Sequence, residues 1–96
     1  MSIETSIDID GSQLDVKIET YGKFYYLNEK LHRLDGAAAE WSNGDREYYK
    51  NGYRHRLNGA AIEWHSDKKY FWYEGKYIKC ESQEEFERIL KLKLFW

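Results

Sequence analysis

The sequence predicts a mainly β domain: an antiparallel meander of about three β-hairpin repeat units with a 23-residue period, ending in a C-terminal helix. Three observations predict it. The segment His32-Arg33-Leu34-Asp35-Gly36-Ala37-Ala38-Ala39-Glu40-Trp41 recurs as His55-Arg56-Leu57-Asn58-Gly59-Ala60-Ala61-Ile62-Glu63-Trp64, identical at eight of ten positions. A fixed period of this length marks a supersecondary unit that stacks on its own copies. Apolar and polar residues alternate through Ile3, Thr5, Ile7 and Ile9, and again through Leu14, Val16 and Ile18, which is the period of half-buried strands. Finally, Ser82-Gln83-Glu84-Glu85 reads as a helix capping box, with Phe86, Ile89 and Leu90 following on one helical face.

Taken in order, residues 1–22 read as a degenerate N-terminal hairpin about Asp10-Gly11. Ile18-Glu19 and Gly22 there echo Ala39-Glu40 and Gly44 with slipped spacing. Terminal repeats are often atypical because they cap the stack. Residues 23–80 hold the repeats. Tyr25-Tyr26, Tyr48-Tyr49 and Phe71-Trp72 occupy one strand position three times, and Tyr, Trp and Ile favour strands. Asn43-Gly44, Asn51-Gly52, Ser66-Asp67 and Glu74-Gly75 punctuate them as turns. Trp41 and Trp64, with Ala37, Ala39, Ala60 and Ile62, are expected to form repeated core layers. Residues 81–96 are expected to be a helix from about 82 to 92, packing Phe86, Ile89 and Leu90 on the sheet, then an apolar end, Leu94-Phe95-Trp96. Alternation at Leu90, Leu92 and Leu94 also permits a short strand there. The whole of 1–96 is read as one domain.

Composition narrows the class. Ninety-six residues suit one domain. Cys80 is the single cysteine, so no disulfide framework exists within the chain. No run of apolar residues is long enough for a membrane helix, and the start, Met1-Ser2-Ile3-Glu4-Thr5, is acidic where a secretory signal is basic. The expectation is a cytoplasmic protein with no membrane partner. Aromatic residues at 18% argue against disorder. Residues 1–22 set Glu4, Asp8, Asp10, Asp15 and Glu19 against Lys17 alone, while residues 23–58 hold seven Lys/Arg against five Asp/Glu. That basic excess is too small for a duplex-DNA binder.

The segments Asn28–Trp41 and Asn51–Trp64 resemble the NGKLHREDGPAIEW-type repeats of small phage and giant-virus proteins, which are similar to MORN-type hairpin repeats. Trp72-Tyr73-Glu74-Gly75-Lys76 followed by Ser82-Gln83-Glu84-Glu85-Phe86 resembles the ending of such proteins. The resemblance covers roughly residues 21–88. Where that pattern has Pro after the Gly, this chain has Ala37 and Ala60. The resemblance implies a β-hairpin repeat fold and a viral accessory origin, in the cytoplasm of a host cell, and brings no catalytic residues.

Candidate residues fall into few groups. His32, Arg33, Asp35 and Glu40, repeated as His55, Arg56, Asn58 and Glu63, could form two equivalent ligand sites, with Arg as an anion fork. Equal spacing in both copies favours instead an internal network joining a turn to the next strand. Strand alternation assigns Phe24, Tyr26, Glu47, Tyr49, Tyr70 and Trp72 to a core-facing side. It assigns Lys23, Tyr25, Leu27, Arg46, Tyr48, Lys50, Lys69, Phe71 and Tyr73 to an exposed side. Rings interleaved with cations could stack bases or dock a protein, so Tyr25, Arg46, Tyr48, Lys69, Phe71, Tyr73, Arg33 and Arg56 are the binding candidates. A solvent-facing sheet with ordinary cross-strand pairs is the alternative.

Catalytic and metal chemistry find little support. His32, His55, His65 and Cys80 lack metal-ligand spacing. Cys80, just before the helix cap, would need a nearby base, and Glu81 and Glu84 oppose its ionisation. Glu40 and Glu63 are repeat-equivalent, whereas an acid/base pair needs unlike environments. No phosphate-loop motif is present, and no cofactor is expected. The acidic N-terminal hairpin could dock a basic surface, but a solvated edge is the better reading. The expected function is a noncatalytic phage accessory protein that engages a host protein, such as a defence component. An oligomeric sponge for a nucleotide signal is the alternative, and a small hydrolase using His32 or His55 a distant third. Exposed aromatics and the apolar terminus suggest a homo-oligomer.

Overall fold

Two-residue turns set the frame. The computed structural model describes residues 2–92. In it, Asn28-Glu29 (φ 51° and 65°), Asn51-Gly52 (51° and 85°) and Glu74-Gly75 (46° and 82°) all take positive φ. Paired positive φ values give the turn whose twist matches the strands it joins. Each turn closes a hairpin: β3 (Gly22–Leu27) with β4 (Lys30–Leu31), β7 (Tyr49–Lys50) with β8 (Tyr53–Arg54), and β10 (Lys69–Tyr73) with β11 (Lys76–Ile78). The remaining strands are β1 (Ser2–Ile7), β2 (Gln13–Glu19), β5 (Ala39–Trp41), β6 (Arg46–Glu47) and β9 (Ile62–Glu63). The main sheet runs β1-β2-β3-β5-β6-β9-β10-β11, antiparallel at every step, with β4 beside β3; β7 and β8 form a two-stranded sheet. The fold is the mainly β antiparallel meander with a C-terminal helix.

The repeated His-Arg pair ties one aromatic strand to the next. His32 N–H donates to the Tyr25 carbonyl, and Arg33 N–H to the Tyr49 carbonyl of the following strand. Twenty-three residues later, His55 N–H donates to Tyr48 and Arg56 N–H to Trp72. Tyr25 N–H to Ala38 O recurs as Tyr48 N–H to Ala61 O, both at 2.8 Å. The period seen in the sequence is thus a period of backbone hydrogen bonds.

Helix α1 (Gln83–Leu92) begins where the capping box places it, with Ser82 Oγ accepting the Glu85 N–H at 3.1 Å. Leu90 and Leu92 are helical, which excludes the strand reading over those two residues; Leu94, Phe95 and Trp96 lie outside the described residues. Phe86, fully buried, packs with Ala60, Phe71 and Ile78, flanked by Ile89 and Leu90. A second cluster joins Leu14, Val16 and Tyr25.

Three expectations about burial are corrected. The helix lands on the side carrying Phe71, so two rings expected to be exposed are buried: Tyr25 is 4% and Phe71 7% exposed, while Lys23, Arg46, Lys50 and Lys69 on that side stay exposed, and Phe24 and Glu47 on the opposite side are as buried as Phe71. Trp41 is no core layer; it is 37% exposed, beside Tyr21 and Phe24. The alternating isoleucines of β1 are not half-buried: Ile3 and Ile7 are 65% and 64% exposed, because β1 is an edge strand and nothing among the described residues covers that side.

Candidate functional site

The repeated polar set assembles the same way in both units. Arg33 lies across the Tyr25 ring, its guanidinium carbon 3.9 Å from the centroid; Arg56 lies across Tyr48 at 3.8 Å. Each Nη1 donates to a carbonyl four residues on, Ala37 or Ala60, at 3.2 Å. Each also pairs with a glutamate, Glu40 at 3.7 Å and Glu63 at 3.2 Å. A planar cation on a ring face, with Nη1 held by a carbonyl and a carboxylate, is a packed structural group. His32 Nδ1 accepts the Asn51 N–H at 2.9 Å, and His55 Nδ1 accepts the Glu74 N–H at 3.0 Å. Each histidine therefore fixes the turn of the next hairpin. Burial, reinforced by Lys50, holds the His55 pKa below its usual value, against the smaller opposing pull of Glu74.

The binding candidates are thus only partly brought together. Tyr25 and Phe71 are core residues and offer no stacking face. Tyr48 carries Arg56, and Tyr73 is half-buried against the His55 ring at 5.1 Å. Arg46 and Lys69 are exposed but stand in a cross-strand row of alternating charge, Lys23–Glu40–Arg46–Glu63–Lys69. Opposite charges facing one another across strands stabilise the sheet. Arg56, Lys69 and Phe71 do share a groove of about 600 Å³ below the start of α1, along with the acidic Glu63, Asp67 and Glu81. Asp35 and Asn58 lie exposed on their loops.

The open aromatic surface is on the other side. Tyr21 and Trp41 are exposed there and pack on the buried Phe24 ring, with centroids 4.9 to 6.1 Å apart. Arg54 lies 5.0 Å from the Trp72 ring, Trp72 meets Tyr77 at 5.5 Å, and Trp64 and Tyr70 complete a shallow depression of about 420 Å³. Between the two groups Glu47, 7% exposed, accepts from Trp41 Nε1 (2.8 Å) and Tyr49 Oη (3.0 Å), and Arg54 Nη2 lies 3.5 Å away. Burial and the adjacent Glu47 raise the Tyr49 pKa. Glu47 stands where the other units place Phe24 and Tyr70, and that substitution of a carboxylate for a ring was the signal available in the sequence.

Two groups outside this face complete the picture. Asp8, expected on a solvated acidic hairpin, is instead buried, because its carboxylate accepts backbone N–H groups of the first repeat loop. Cys80 is half-buried; burial and Glu85 raise its pKa, which describes a packed thiol rather than a nucleophile. Among the described residues no three His, Cys, Asp or Glu side chains gather as a metal site, and no helix is long and apolar enough to cross a membrane. Comparison with protein-family models, curated proteins and solved structures finds no match.

Proposed function

We propose that this chain is a noncatalytic binding protein whose open aromatic sheet face docks on a partner protein. The observation that carries the reading is the surface built from Trp41, Arg54, Trp64, Trp72 and Tyr77, held in place through Glu47. Trp, Tyr and Arg are the residue types that dominate protein interfaces, and rings fixed by neighbours lose little entropy on binding. The resemblance to phage and giant-virus repeats makes a host protein, such as a defence component, the partner we propose. Self-association through the β1 edge, with Ile3 and Ile7 exposed, belongs to the same reading.

The test compares the wild-type chain with a Trp72→Ala/Tyr77→Ala variant as bait in host lysate. The expected result is a partner retained by the wild type and lost by a variant with an unchanged circular dichroism spectrum. Equal recovery by both baits, or none by either, defeats the proposal. The nucleotide sponge rests on the Arg56–Lys69 groove. Phe71 in that groove is buried and Glu63 neutralises charge, so titration calorimetry with a nucleotide panel should give no heat.

A further inference from the structure

The two repeat loops share the arginine and histidine hydrogen bonds that frame them but differ in one occupant. In the first, the Asp8 carboxylate, with no side-chain exposure, accepts the Leu34 N–H at 2.8 Å and the Asp35 N–H at 2.9 Å, and lies 3.7 Å from His32 Nε2. Successive backbone N–H groups converging on one oxyanion form a nest, and such charge-assisted bonds are about twice as strong as neutral ones. The second loop presents the matching groups: Leu57 N–H, Asn58 N–H and His55. The frame around them is the same, from the Arg–Tyr stack to the histidine-held turn.

No acid fills the second loop. Among the described residues no acceptor reaches the Leu57 or Asn58 N–H; of Leu57's backbone only the carbonyl is used, by Gln83 Nε2 at 2.8 Å. A groove of about 510 Å³ opens there instead, lined by Lys50, His55, Leu57 and Asn58, with Asp35 on the wall supplied by the first loop. Because His55 Nδ1 accepts from Glu74, the neutral ring carries its proton on Nε2, as a donor. Asn58 stands where the first loop has Asp35, which removes one negative charge from this nest.

We infer that His55–Asn58 is a carboxylate-binding site, equivalent to the one Asp8 fills in the first unit and open to a carboxylate from outside the chain. The inference does not depend on what docks on the aromatic face. It is tested on the full chain by proton–nitrogen NMR, titrating sodium acetate against sodium chloride at matched ionic strength. Acetate should move the Leu57 and Asn58 amide protons downfield and saturably, with half-saturation on the order of 10 mM for so small a ligand. The Leu34 and Asp35 amides, already occupied by Asp8, should stay in place. Equal shifts with chloride, equal shifts at Leu34 and Asp35, or a larger response to inorganic phosphate than to acetate would each overturn the assignment.

Discussion

Gly36 and Gly59 are explained by the arginine beside them. A Cβ on Gly59 would stand 2.7 Å from Arg56 Nη1, at a φ of +145° that side chains rarely adopt; on Gly36 it would stand 3.1 Å from Arg33 Nη1, with no positive φ. The guanidinium is held between a tyrosine ring and a glycine backbone. Gly59→Ala should therefore cost about 2–3 kcal/mol and Gly36→Ala about 1 kcal/mol, from strain and displaced stacking. Urea denaturation measures both, and equal losses would refute this account. The residues of the stack were legible because duplication made them conspicuous. Their use was legible only in part: equal spacing favoured an internal network for Arg33 and Arg56, but that each arginine lies on a tyrosine face of its own unit shows only in the ring-to-cation distances. Asp8 was illegible for a different reason. Its partners lie 26 and 27 residues away, beyond any local pattern, and it belongs to no repeat copy.

Strands and turns depend on these side chains for their register. His55 holds the Glu74 turn through Nδ1, and that bond requires an unprotonated Nδ1. Since the folded state lowers the His55 pKa, its contribution to stability is complete above the usual histidine value of 6.5 and is lost as pH falls through the lowered folded value. NMR titration of His55 should give a midpoint below 6.5, and melting temperature should decline on acidification through that midpoint. A midpoint at or above the usual value would contradict the burial argument. Asn28-Glu29 lacks a glycine and passed unmarked; the helix and the turns named from sequence were readable as elements because capping and primed-turn chemistry act within four residues. The break at Tyr48 between β6 and β7 was not. There the strand changes neighbours, pairing with β5 and β9 on one side of the break and with β8 on the other.

At the scale of the molecule, the sheet and helix occupy 42 × 30 × 17 Å. Period-two alternation identified two sheet faces but could not say which one the helix covers. That choice follows from where α1 sets Phe86 against Phe71, with ring centroids 5.1 Å apart, and it moves Phe71 from the wet residues to the dry ones while leaving Phe24 buried on the opposite face. The hydrogen bonds from His32 to Tyr25 and from Arg33 to Tyr49 recur from His55 to Tyr48 and from Arg56 to Trp72, so each unit touches only its neighbours. A chain lengthened by a second copy of residues 30–52, inserted after Gly52, should remain folded and melt no lower than its parent. A non-cooperative melt would refute that. The unit then acts as a spacer of fixed step: each copy would carry the acidic N-terminal hairpin and the helical cap one increment further apart, so the reach of the molecule is set by counting modules.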